Sequence, residues 1–174
     1  KKNLLNQLNA LEEAGMNAII FQVRPEADAL YQSSIEPWSR HLTGVQGQAP
    51  YPLWDPMQFM IEECHKRNME FHAWINPYRV KSNMSSSLAP SHIYHQYPER
   101  FIQYGNQLFF DPALPENREH IIIVVKDIIN RYDVDAIHMD DYFYPYPTPG
   151  LEFSDDHSFA LFGGQFKDRG DWRR

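Results

Sequence analysis

The chain has 174 residues, 43% hydrophobic and 22% charged, proportions of an ordinary globular protein rather than of a disordered or membrane-embedded one. Its net charge of -7, with Lys and Arg scattered along the chain, argues against a nucleic-acid partner, because gripping phosphates takes a clustered basic surface. No apolar run reaches the length of a membrane span, and the one cysteine, Cys64, leaves no internal disulfide to form.

Leu4, Leu5, Leu8 and Leu11 recur at helical spacing and Gly15 follows as a stop, so residues 2–14 are predicted to form an amphipathic helix. The next segment, residues 18–24, reads as a strand with Ile19, Phe21 and Val23 on one face and Ala18, Ile20, Gln22 and Arg24 on the other. Both faces begin apolar, which suits a buried parallel strand. A long loop then carries Tyr31, Pro37-Trp38 and Tyr51-Pro52-Leu53-Trp54, and loops of that length are functional or disordered. The tryptophans favour function. Asp55-Pro56-Met57-Gln58 has the grammar of a helix start, with Asp as N-cap, Pro in the first position and Gln placed for a capping box. That helix carries Cys64 as a buried structural thiol and stops at Asn68.

A second strand, residues 71–76, directs Phe71, Ala73 and Ile75 one way and His72, Trp74 and Asn76 the other, and Pro77-Tyr78-Arg79 ends it. Residues 81–106 read as a Ser- and Tyr-rich insertion with a helical turn near residues 98–102, followed by a short extended piece at Leu108-Phe109-Phe110. Pro115-Glu116 opens a helix to about Arg131 that buries Ile121 to Val125, Ile128 and Ile129. The last strand starts at Ala136 and runs on to Asp140, placing Ala136, His138 and Asp140 on one face and Ile137 and Met139 on the other.

Strands alternating with helices predict a parallel sheet with crossover helices. Each inner face turns polar only at its carboxyl end, at Gln22 and Arg24, Trp74 and Asn76, then His138 and Asp140. One rim collects all three, as at a barrel top or an open-sheet crevice. The fold class expected is α/β, a partial (β/α)8 TIM barrel with about three to four of its eight βα units, since a full barrel takes about 250 residues. Residues 1–174 are then one incomplete domain lacking its first strand and C-terminal half. The chain opens inside a helix and carries no visible signal peptide.

Cleaving a glycosidic bond usually takes two carboxyl groups flanking it. Asp140 is the catalytic candidate, against the plainer role of a strand-end Asp that caps the following turn. Asp141 points to the opposite face if the strand persists, so the adjacent pair cannot serve as acid and nucleophile together, and Asp141 is assigned to loop backbone or a sugar hydroxyl. His138 and His72 are placed to donate hydrogen bonds, or are satisfied core residues. Asn76 and Arg24 suit hydroxyls and carboxylates, unless Arg24 pairs with Glu26, Asp28 or Asp141. Trp38, Trp54, Trp74, Tyr78, Tyr142 and Tyr144 offer ring faces to an oligo- or polysaccharide. A metal site on His72, His138, Asp140 and Asp28 is the rival chemistry, but no His-x-His or His-Glu-x-x-His pairing fixes two ligands on one element. Metal and cofactor are therefore expected to be none, and neither a phosphate-gripping glycine loop nor a Gly-x-Ser-x-Gly elbow occurs.

Ala18-Ile-Ile-Phe-Gln-Val-Arg24-Pro25, His72-Ala-Trp-Ile-Asn-Pro-Tyr-Arg79, Asp111-Pro112 and above all Ile137-His-Met-Asp-Asp-Tyr-Phe-Tyr-Pro145 resemble the glycosyl-hydrolase-like family 10 proteins. The resemblance covers nearly the whole chain. It implies a TIM barrel in a bacterial protein exported to the periplasm or cell envelope, in a family of which one group cleaves peptidoglycan glycan strands. It further implies that Asp140, at the end of the fourth barrel strand, is the nucleophile-like residue, with its partner carboxylate on a later strand that this chain lacks. The piece alone is then expected to be inactive. A saccharide-binding module on the same scaffold is the alternative.

Overall fold

The computed structural model describes residues 1–140 and 144–174. Helix α1 (Lys2–Glu13) buries Leu8, and Gly15 just beyond it takes φ of +75°, a left-handed conformation that costs glycine little. Strand β1 (Ala18–Arg24) follows. The long loop holds one helical turn, α2 (Arg40–Thr43). It leads into α3 (Pro56–His65), where the Asp55 carboxylate accepts from the Gln58 N–H at 3.0 Å. The capping box is only half made, because the Gln58 amide reaches forward to Glu62 at 3.0 Å instead of back. Asn68 ends this segment at φ of +53°, one of the few side chains that tolerates the left-handed region.

After β2 (Glu70–Ile75) come β3 (Arg79–Lys81), two 3-10 turns (Ile93–His95 and Pro98–Arg100), β4 (Phe101–Tyr104) and β5 (Gln107–Phe110). Helix α4 (Pro115–Arg131), β6 (Ala136–His138), α5 (Asp156–Phe162) and α6 (Arg169–Trp172) complete the order.

The alternation expected from the sequence gives a parallel sheet in the order β1-β2-β6. In-register partners of parallel strands share a face. Ile19 and Phe71 pair, as do Phe21, Ala73 and Ile137 along the next row. These apolar rows pack with Met57, Ile61 and Cys64 of α3 and Ile121, Val124 and Ile128 of α4 in one core. Burying side chains of this size stabilises by about 1.5–3 kcal/mol each. The opposite face carries Ile20, His72 and Ala136 in one row and Gln22, Trp74 and His138 in the next. It stays partly open: Ile20 is 52% exposed.

Three sequence expectations need correction. Residues 101–104 are a strand rather than part of a helical turn, and with β5 and β3 they make a second, antiparallel sheet in the order β3-β5-β4. On α4 the buried stripe is narrower than the apolar run, leaving Ile122, Ile123 and Ile129 exposed, because a helix turns only one face to a flat sheet. Strand β6 ends at His138, so Asp140 lies two residues beyond the last paired position.

Candidate active site

The parallel register brings three inner side chains into one line across the sheet. Gln22 lies opposite Trp74, and Trp74 opposite His138. The Trp74 and His138 rings meet edge to face, 6.3 Å between centroids at 86°, a favoured aromatic geometry. Gln22 Nε2 and Trp74 Nε1 are both shielded from solvent without a hydrogen-bond partner among the described residues. A buried donor left unpaired costs about 1–3 kcal/mol, so these two are poised for an acceptor. Asp140, half-buried beyond the end of β6, has its Oδ1 in the same condition. Asp141 and Tyr142 lie outside the described residues.

His72, one row below, turns its Nε2 to Glu70 at 2.9 Å. Asn76 is 1% exposed. Its Oδ1 accepts from the backbone N–H groups of Tyr78 at 3.2 Å and Arg79 at 2.8 Å, an Asx turn that bends the chain off β2 into the second sheet. Tyr78 is half-buried between the two hydrophobic clusters. Burial raises its phenol pKa, tempered by the Arg118 charge.

Arg24 does not reach the open face. The register shifts between Gln22, opposite Trp74, and Arg24, opposite Ile75, and such a bulge redirects the side chain after it. Arg24 is 0% exposed. Its Nε and Nη2 donate to the Glu36 carboxylate at 2.7 and 2.5 Å, and its Nη1 to the carbonyls of Asn76 at 2.5 Å and Pro77 at 3.1 Å. The partner is thus Glu36 rather than Glu26 or Asp28, and His120 of α4 holds the same carboxylate at 3.0 Å. Burial alone would push the Glu36 pKa up, but the Arg24 guanidinium and the His120 contact bring it down to about 2. Arg24 therefore fixes the backbone at the end of β2 from behind, by charge-assisted bonds.

The sequence places Gln22 on the polar rim without making it a binding candidate, and it does not reveal Glu36 and His120 as the groups that hold Arg24 in place. The alternation pointed to Gln22; nothing local marks Glu36 as the partner of a residue twelve positions earlier. Of the other aromatic candidates, Trp38 ties the long loop together through its backbone, bridged to Ala29 and accepting from the Gly47 N–H at 2.7 Å. Trp54 packs on Phe59 at 5.7 Å with Lys1 over its ring at 5.0 Å. Tyr144 lines a cavity beside the second sheet, where burial lifts its pKa to about 12. Among the described residues, no three His, Cys, Asp or Glu side chains gather closely enough to hold a metal ion, and no helix is long and apolar enough to cross a membrane.

Comparison with known proteins adds a family. The model described as glycosyl hydrolase-like 10 matches residues 1–174. Glycosyl hydrolase YngK of Bacillus subtilis is 46% identical over 177 residues, covering 100% of this chain and 34% of that one. Glycosyl hydrolase DigH of Escherichia coli is 38% identical over 181 residues, covering 98% and 40%. The chain thus spans between 34% and 40% of the length of these curated relatives. A hypothetical protein from Ruminiclostridium thermocellum shares the fold at a TM-score of 0.60 and 13% identity, over 95% of this chain and 78% of that one. The GH36 alpha-galactosidase AgaA of Geobacillus stearothermophilus does so at 0.52 and 14%, over 78% and 18%. At such identities the structural likeness speaks for the fold alone. The end-to-end family match, together with the identity to two named members, carries more: the chain belongs to the glycosyl hydrolase-like 10 family.

Proposed function

We propose that this chain is part of a (β/α)8 barrel whose complete protein cleaves O-glycosidic bonds of a bacterial cell-wall or other polysaccharide in the periplasm or cell envelope. Residues 1–174 form one incomplete domain of that barrel, inactive alone, in this reading. Asp140 is one of the two carboxyl groups the reaction needs. The supporting observation is the row Gln22, Trp74 and His138 on the open sheet face, two of them with shielded N–H groups that have no partner among the described residues, ahead of an Asp140 oxygen in the same condition.

In this reading the Trp74 ring packs on the C–H face of a sugar while Gln22 and His138 grip hydroxyls, Asn76 shapes the rim, and Asp141, Tyr142, His72 and Tyr78 complete the pocket. Asp140 attacks or stabilises the anomeric carbon as positive charge develops there. The second carboxyl group, on a further strand, protonates the leaving oxygen. A spacing of about 5 Å between the two predicts retention of configuration, and roughly 6.5 Å or more inversion.

Asp140→Asn in the complete protein is expected to lower turnover of a sensitive glycan at least about a thousandfold, with glycan affinity kept within about threefold. Turnover that survives the substitution removes Asp140 from the chemistry. A parent protein that binds glycan and never cleaves it instead favours a saccharide-binding module on the same scaffold.

A further inference from the structure

Charged and polar side chains are costly to bury unless they satisfy one another, yet three meet behind the strand-end rim from three separate segments. Arg24 ends β1, Glu36 lies in the long loop and His120 stands in the second turn of α4. Their side chains are 0%, 1% and 11% exposed. One carboxylate oxygen, Glu36 Oε1, receives both Arg24 Nη2 and His120 Nε2, so the helix and the strand end share a single acceptor. Glu36 is itself fixed, its N–H donating to the Ser33 hydroxyl at 3.1 Å. Phe110 of β5 packs beside both partners, its ring centroid 5.9 Å from the Arg24 guanidinium and 5.6 Å from the His120 ring.

The other side of Arg24 grips the chain where β2 ends. Its Nη1 donates to the Asn76 and Pro77 carbonyls, and its own carbonyl accepts from the Asn76 N–H at 2.9 Å. Asn76, clamped through both backbone groups, turns its Oδ1 to the Tyr78 and Arg79 N–H groups. The Tyr78 carbonyl accepts from the Phe110 N–H at 2.8 Å, and Arg79 Nε donates to the Pro25 carbonyl at 3.2 Å. Every residue of the turn is thus tied. Asn76 and Arg79 both line a cavity of about 340 Å³ at the carboxyl end of β2. Arg79 is half-buried there and enters no ion pair among the described residues. The pull of such a charge on an occupant changes with distance, and displacing a group in a reaction site by about 1 Å can cost about a hundredfold in rate.

We propose that Glu36 and His120 are positioning residues for the cleavage reaction: through Arg24 they set where the Asn76–Arg79 turn, and with it the Arg79 guanidinium, stands at the rim. The inference rests on the glycan-cleaving reading above. It makes α4, the helix that leads into β6, part of what fixes the end of β2.

The test compares three variants of the complete protein: His120→Leu, which removes the bond to Glu36; His120→Gln, whose amide restores a donor; and Val124→Ala, which weakens the same helix at a buried position outside the relay. Turnover is read as new reducing ends from soluble polysaccharides that include bacterial cell-wall glycan, at a temperature where circular dichroism shows each variant folded. Amide hydrogen exchange at Tyr78 and Arg79 reports the turn itself, with the Gln58 N–H, bonded to Asp55 far from the relay, as reference. The expected result for His120→Leu is a kcat about fivefold lower at a KM within about twofold, and exchange about tenfold faster at Tyr78 and Arg79 but not at Gln58. His120→Gln and Val124→Ala stay within about twofold of the parent in both. Equal losses in His120→Leu and Val124→Ala, no rescue by Gln, or a change in turnover or exchange without the other would overturn the relay. A parent that cleaves no glycan sinks the enzyme reading and the catalytic part of this one together, whereas unchanged exchange in His120→Leu sinks the relay alone.

Discussion

Glu36 sits in a dry part of the molecule between the Arg24 guanidinium and the His120 ring, its side chain 1% exposed. Removing one member of a buried pair strands the other, which costs about 3–5 kcal/mol. Glu36→Gln is therefore expected to lower the unfolding free energy by that amount in urea melts and to loosen the Asn76–Pro77 backbone that Arg24 holds. Two buried groups also contribute to the acid limb of stability. His92 is 0% exposed with its Nε2 unpartnered among the described residues, and burial depresses its pKa from 6.5 to about 4. The unfolded chain takes up that proton first, so stability present above pH 6.5 is lost as pH falls toward 4. Glu36, depressed from 4.5 to about 2, adds a second loss between those values. His92→Asn keeps an acceptor for the Tyr94 N–H, which His92 Nδ1 now receives at 3.1 Å, and is expected to flatten the upper window while Glu36→Gln flattens the lower. A single window untouched by either variant would contradict this assignment.

Elements differ in how plainly the sequence announces them. Residues 18–24 and 115–131 match the predicted strand and helix end to end, because period and boundary residues agree. The β4–β5 hairpin went unread although Gly105-Asn106 between two apolar runs is a turn signal; the aromatic and polar residues around it resembled an irregular insertion. Gly105 sits at φ of +55°, and a Cβ there would also meet Leu151 Cδ1 at 3.2 Å. Gly105→Ala is expected to cost about 1–2 kcal/mol in chemical denaturation and to displace the Leu151 side chain; a neutral result would show that the turn relaxes. On α4 the unbroken run Ile121-Ile-Ile-Val-Val125 has no period of its own, so only the sheet it packs against decides that Ile121 and Val124 go in while Ile122 and Ile123 stay out.

At the scale of the whole molecule, the sheet is closed by helices on one side and partly open on the other, where the proposed catalytic row lies. β1 and β6 are its outer strands, and unpaired strand edges and apolar faces attract other chains. The 174-residue chain alone is expected to bind a hydrophobic dye and to self-associate by light scattering, and a chain extended to the length of its relatives to do neither. Equal behaviour of the two would argue against a barrel completed by further strands. The alternation of helices with the three parallel strands, the apolar and polar faces of that sheet and the family itself were determined by the sequence alone, because side-chain alternation and motif spacing are local properties of the chain. Only the tertiary structure decided that a bulge turns Arg24 away from the open face to Glu36, and that the β4–β5 hairpin and the proline-rich segment line a common cavity. Ion-pair partners and cavity walls are chosen across gaps of 12 to 44 residues, and no local pattern records which distant group completes them.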